Sequence, residues 1–234
     1  MGAMRPTVLL FDIDGTLVTT GGAGRRSMEL AFERLHGRRD ACDSFSMSGM
    51  TDRAIARKGL VAVGAEDSTE AIDAVIAAYL AHLSAEVLKV DDQSYRVFPG
   101  MREAVREARS RSGFAVGLGT GNVREGARVK LERVSIYDQF AFGGFGCDAE
   151  DRTELIRCGA KAGAAVLGAP VEECRVVVIG DTPKDVYAAK GIGAECIGVG
   201  TGSFTPETLL EAGADAAFPD FTHREAMTVL LGGR

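Results

Sequence analysis

No two cysteines in this chain are spaced as CxxC, no run of about twenty apolar residues occurs, and no long block of like charge interrupts it. Each absence removes a class of protein. Cys42, Cys147, Cys158, Cys174 and Cys196 are odd in number and widely separated. That arrangement argues against a disulfide framework or a zinc site and suits reduced, structural thiols. Without a long apolar run there is no expected membrane span. The N-terminus also lacks the basic region, apolar core and cleavage site of a signal peptide. Lys and Arg are scattered and the net charge is -6, which speaks against a nucleic-acid partner or a polybasic membrane surface. Repeats and low-complexity tails are missing as well. A cytoplasmic, soluble protein is the expectation, and nothing in the sequence signals an oligomeric state.

What is present is a core. The 234 residues are 46% hydrophobic, enough for one large domain or one and a half smaller ones. The stretch that organises the chain is TVLLFDIDGTL, 7–17. Val8 to Phe11 form an apolar run suited to a strand buried on both faces, and Asp12, Asp14 and Gly15 follow at its carboxyl end. Thr19 to Gly24 reads as a flexible link. Three helices are expected between Arg26 and about Lys89, the second capped by Thr51 and the third by Ser68. No strand pattern interrupts them, so 19–95 reads as an inserted helical unit.

A βα rhythm then resumes. Phe114–Gly119 is a second buried strand, followed by a helix with Asn122 at its cap. A short strand is expected at 140–142 and a helix capped by Thr153. Arg175–Ile179 is a strand followed by a helix with Pro183 in its first turn. Cys196–Val199 is a further strand, Thr205 opens another helix, and Thr222 with Glu225 forms a capping box for the last. Alternating strands and helices predict a doubly wound parallel α/β sheet, built from 1–18 and 96–234.

Three strand ends carry polar groups that one crevice would gather. They are Asp12 with Asp14, then Thr120-Gly121-Asn122, then Asp181 with Asp185 in the next first turn. Several carboxylates in one place repel one another without a cation, and hard oxygen ligands favour Mg²⁺. Asp185 can equally be a carboxylate favoured by its helix N-terminus, and Asn122 a simple cap. Thr120 and the following amides suit an anion.

In FDIDGTL (11–17), GLGTGN (117–122) and VIGDTPKD (178–185), with this spacing and insertion, the sequence resembles the haloacid dehalogenase superfamily, and within it the phosphatases similar to phosphoglycolate phosphatase that carry a helical cap. The resemblance implies a Rossmann-like core and a Mg²⁺-dependent phosphatase for a small phosphorylated metabolite. It implies Asp12 as nucleophile, forming an aspartyl-phosphate, and Asp14 as proton donor and acceptor. Asp12, Asp181 and the Asp14 backbone carbonyl would bind the metal, with Asp185 supporting them, and Thr120 would hydrogen-bond the phosphoryl group beside the amides of Gly121 and Asn122, with Arg152 as a further phosphate ligand. Many relatives carry a lysine followed by proline ahead of the helix before the GD pair. Here the region reads AEDRTELI, so Arg152 is the nearest cation, with Lys161 and Lys184 as weaker candidates. Asp14 favours ester hydrolysis over dehalogenation. A sugar-phosphate mutase and a phospho-receiver module are the alternatives; the mutase needs a proton-shuttling group in the cap, and none stands out. GGAGR (21–25) lacks the ending of a P-loop and reads as a hinge, with Arg25 able to reach the site. His36, His82 and His223 are isolated, while Phe45, Met47 and Met50 can line the inner side of the insertion.

Overall fold

The computed structural model describes residues 5–233. In its first half β1 (Thr7–Phe11) and β2 (Val18–Thr20) lead into α1 (Ala23–His36), α2 (Asp52–Ala62) and α3 (Thr69–Lys89), followed by β3 (Tyr95–Val97) and α4 (Met101–Ser110). Next come β4 (Phe114–Thr120), α5 (Arg124–Glu132), β5 (Gly143–Phe145) and α6 (Arg152–Leu167). The chain closes with β6 (Arg175–Gly180), α7 (Pro183–Gly191), β7 (Glu195–Val199), α8 (Pro206–Glu211), β8 (Ala216–Phe218) and α9 (Ala226–Leu230).

Six strands pair in the order β5-β4-β1-β6-β7-β8, all parallel, with β1 between β4 and β6. This is the doubly wound α/β sheet expected from the rhythm of the sequence. Strand side chains alternate, so each strand feeds two cores. Leu9 and Phe11 of β1 join Val177 and Ile179 of β6 under α4 and α9. Val8 and Leu10 join Val178 under α6 and α7. Because both faces are covered, β1 is buried along its length and apolar from Val8 to Phe11. The first polar residue after it therefore emerges at the sheet's carboxyl edge.

The helices α1, α2 and α3 enclose a third apolar cluster, including Met28, Phe32, Leu60, Ile72 and Leu83. Thr51 and Ser68 cap α2 and α3, each accepting from the amide three residues on. On length and composition α3 is apolar enough to cross a membrane, which corrects the expectation that no segment approaches a span. Its Ile72, Val75, Ile76, Tyr79, Leu83 and Val87 are buried in this cluster.

Several local expectations are corrected. Thr19 and Thr20 are not a loose link: Val18–Thr20 pairs antiparallel with Tyr95–Val97, tying the two ends of the helical insertion together. The short strand expected at 140–142 lies at Gly143–Phe145, where glycines allow α6 to approach the backbone closely. Asp151, not Thr153, caps α6. Val123, not Asn122, is the cap residue of α5, because the Asn122 side chain is turned toward Asp14 and Thr120. Thr222 bonds Asp220 instead of forming a capping box, and α9 begins without a side-chain cap. The strand at Ala216–Phe218 carries too short a pattern to be anticipated.

Candidate active site

Because β4, β1 and β6 are adjacent and in register, Phe11 lies between Leu118 and Ile179. The residues that follow them meet at one edge. Ligand oxygens of Asp12, Asp181 and Asp185 all fall within 4.8 Å of one another, and all three residues are buried. After Asp12 the chain turns back through Gly15, whose φ of 81° lies in the left-handed region. A side chain at Gly15 or Gly202 would collide with the Asp181 carboxylate. Asp181 is held by a 3.1 Å hydrogen bond from Thr16 Oγ1.

Arg152, at the first position of α6, joins the acids. Its Nη2 lies 2.9 Å from Asp12 Oδ2 and, with Nε, also reaches Asp185 Oδ1. Asp185 Oδ2 accepts from the amide and the hydroxyl of Thr182, closing a capping box on α7. Helix capping and site building are thus the same contact. Lys161 stands well away, beside Arg5 and Arg157, and Lys184 donates to Ser48 O at 2.7 Å. Of the cations considered from sequence, Arg152 is the one among the carboxylates.

Burial pushes Asp12 up to about 6, opposed by Arg152 and reinforced by Asp185. Asp181 is raised well above the ordinary carboxylate range by burial, then by Asp185 and Asp12. Arg152 is itself desolvated, yet Asp185 and Asp12 hold its guanidinium firmly protonated. Three buried carboxylates against one arginine leave unbalanced negative charge, so the donor set fits a hard divalent cation.

Above this edge lies a cavity of about 410 Å³, walled by Asp12, Asp14, Asp181 and Arg152 below and by α1, α3 and the segment 46–52 above. Gly121 and Asn122 are on the wall. Thr120 is not: it is fully buried behind them and accepts from the Asn122 amide at 3.3 Å and side chain at 2.9 Å. Arg25 lines the cavity and is paired with Glu29 and Asp43, and Met47 and Met50 line it too. Phe45 packs instead with the helical cluster. None of the three histidines reaches the cavity.

Two groups on the wall were not anticipated. Lys130 of α5, with 4% of its side chain exposed, lies 2.6 Å from Asp14 Oδ2 and 2.6 Å from Asn122 Oδ1. Asp52, in the first turn of α2, donates its amide to Gly121 O and accepts from the Val123 amide, each at 2.8 Å. Burial raises Asp52 to about 6, with Lys130 opposing. Lys130 sits beside Val129 and Leu131 in a stretch that reads as an ordinary helix with one exposed lysine. The lone TD pair at the start of a helix, 51–52, is the only hint of Asp52.

The haloacid dehalogenase-like hydrolase family matches residues 6–193, and the chain belongs to that family of enzymes. No curated protein matches it. Among solved structures it is similar to CbbY from Rhodobacter sphaeroides in complex with phosphate, at 20% identity and TM-score 0.70, covering 98% of this chain and 97% of that one. A predicted phosphatase from Clostridium acetobutylicum shares 18% identity at TM-score 0.69, covering 97% and 99%. A protein of Thermotoga maritima provisionally assigned as a β-phosphoglucomutase shares 25% identity at TM-score 0.59, covering 96% and 98%.

Proposed function

We propose that the protein is a Mg²⁺-dependent phosphatase hydrolysing a small phosphorylated metabolite, with 19–95 as a cap over a core formed by 1–18 and 96–234. The observation that carries this reading is the clustering of buried Asp12, Asp181 and Asp185 within 4.8 Å, with Asp14 facing the same cavity. The R. sphaeroides protein has been solved with phosphate and with xylulose 1,5-bisphosphate, ligands of the class proposed here. Asp12 and Asp181, with the backbone carbonyl of Asp14, would hold the ion. All four acceptor positions of Asp185 are used by Thr182 and Arg152, so its part is to fix Arg152. When bound, the metal supplies positive charge against the phosphoryl oxygens.

Asp12 attacks phosphorus and forms an aspartyl-phosphate as the ester P–O bond breaks. Asp14 gives its proton to the departing alkoxide, and in the second half takes one from the attacking water. Arg152 and the Gly121-Asn122 segment steady the phosphoryl oxygens, while Thr120 orients Asn122. Among the described residues no helix other than α3 has the length and composition of a span, and a cytoplasmic setting suits the protein's five free cysteines.

Release of inorganic phosphate from para-nitrophenyl phosphate, dependent on Mg²⁺ and lost with EDTA, followed by a metabolite panel, tests the reading. A receiver module would take up phosphate without turnover. The mutase reading draws support from Asp52, a cavity-lining carboxylate in the helical insertion of the kind that a proton shuttle needs. Isomerisation of β-glucose 1-phosphate without phosphate release would favour it.

A further inference from the structure

We infer that Lys130 is a positioning residue: it aims the proton-transferring oxygen of Asp14 at the leaving group. The inference rests on the phosphatase reading and adds a residue that neither the motifs nor the family description assigns. Asp14 has 42% of its side chain exposed and follows the end of a strand, so left alone it would sample several rotamers. Two donors restrict it. Lys130 Nζ and Asn122 Nδ2 both fall on Oδ2, at 2.6 and 2.8 Å. No hydrogen bond among the described residues reaches Oδ1, the oxygen left to serve the substrate.

Lys130 also fixes Asn122. An ammonium has only donors, so the amide must turn its oxygen toward Nζ, at 2.6 Å, and its nitrogen toward Asp14 and Thr120. One buried charge thereby sets two side chains. The third direction from Nζ leads to the hydroxyl of Tyr79 on α3. Room for the ammonium comes from Gly24 of α1, where a Cβ would sit 3.2 Å from Nζ. Stability alone gives little reason for this arrangement, since burying the ammonium costs desolvation and its partner Asp14 is partly exposed, where an ion pair contributes little.

In the reaction the P–O bond to the alcohol breaks as Asp12 bonds to phosphorus, and the alkoxide takes the Asp14 proton. Water then adds to phosphorus, the Asp12–phosphorus bond breaks, and the water's proton returns to Asp14. Lys130 gains and loses nothing. Its removal should therefore matter where the leaving group needs a proton and hardly where it does not.

The test compares Lys130→Met, Asp14→Asn and the double variant on an alkyl phosphate and on para-nitrophenyl phosphate. Lys130→Met is expected to lower kcat for the alkyl ester about 30-fold or more, approaching the roughly 100-fold lower end of what a general acid contributes, with a loss at least tenfold smaller for the aryl ester and KM within about twofold. In the Asp14→Asn background it should add less than about twofold, because it acts through Asp14. Equal losses on both esters, or full additivity, would overturn the inference while leaving the phosphatase reading standing. A wild-type protein inactive on both esters would overturn that reading first. Should Lys130→Met fail to fold, Gly24→Ala crowds the ammonium from the opposite side and must show the same ester dependence in weaker form; its absence would overturn the inference too.

Discussion

The carboxylate of Asp52 accepts a 2.8 Å hydrogen bond from the Val123 amide at the start of α5. Since the Asp52 amide donates to Gly121 O, one residue of the helical insertion engages both sides of the loop that carries Asn122. The contact has a cost that pH can reveal. The native pKa, about 6, lies above the ordinary 3.8, so between these values the folded chain holds more protons than the unfolded one. Stability from this site therefore falls as pH rises through the window.

Asp52→Asn keeps an acceptor for Val123 and removes the buried charge. Its melting temperature should exceed that of the wild type at pH 8, by the equivalent of no more than about 3 kcal/mol. The difference should close as pH drops through about 6 and vanish near pH 4. A constant offset across pH would show that the amide contact, not the charge, dominates.

Asp12→Asn is nearly isosteric and should leave the circular dichroism spectrum unchanged while abolishing turnover on every ester. Mass spectrometry after brief exposure to substrate should find a phosphoryl adduct on the wild type and none on the variant. Substantial residual activity would remove Asp12 from the nucleophile's role.

Millimolar Mg²⁺ should raise the melting temperature and EDTA reverse it, because an ion relieves repulsion among Asp12, Asp181 and Asp185. Asp181→Asn should melt higher than the metal-free wild type and lose most of the Mg²⁺ response. Both effects are readable by differential scanning fluorimetry without any substrate.

Arg152 reaches Asp12 and Asp185 together. Lysine, a point charge on a flexible stem, cannot reproduce that fork. Arg152→Lys should fold and lose about 10- to 100-fold in kcat, about 1.4–2.7 kcal/mol of transition-state stabilisation. Arg152→Met strands buried carboxylates and should cost about 3–5 kcal/mol in urea unfolding.

The parts of this fold that could be read from sequence are those where one local pattern decides. Val8–Phe11 and Val176–Ile179 are apolar on both faces, and only a covered parallel sheet satisfies that. The aspartates stand directly after such runs, so their common edge followed from the architecture. What escaped depends on distant partners. Val18–Thr20 is a strand only because Tyr95–Val97 returns to meet it. Asn122 has the composition of a cap, but a tertiary contact with Asp14 outweighs the local one. Lys130 looks like any helical lysine until α1 and α3 close over it. Thr120 shows the converse, its hydroxyl engaged by Asn122 instead of lining the cavity.

The guanidinium of Arg152 also donates from Nη1 to the carbonyl of Gly49, at 3.3 Å. The side chain paired with Asp12 thus has one hand on the roof. Any lifting of the 46–52 segment would strip that partner from the arginine. Opening the chamber and releasing one of the contacts on the arginine beside Asp12 become a single motion, with Asp185 left to hold the guanidinium.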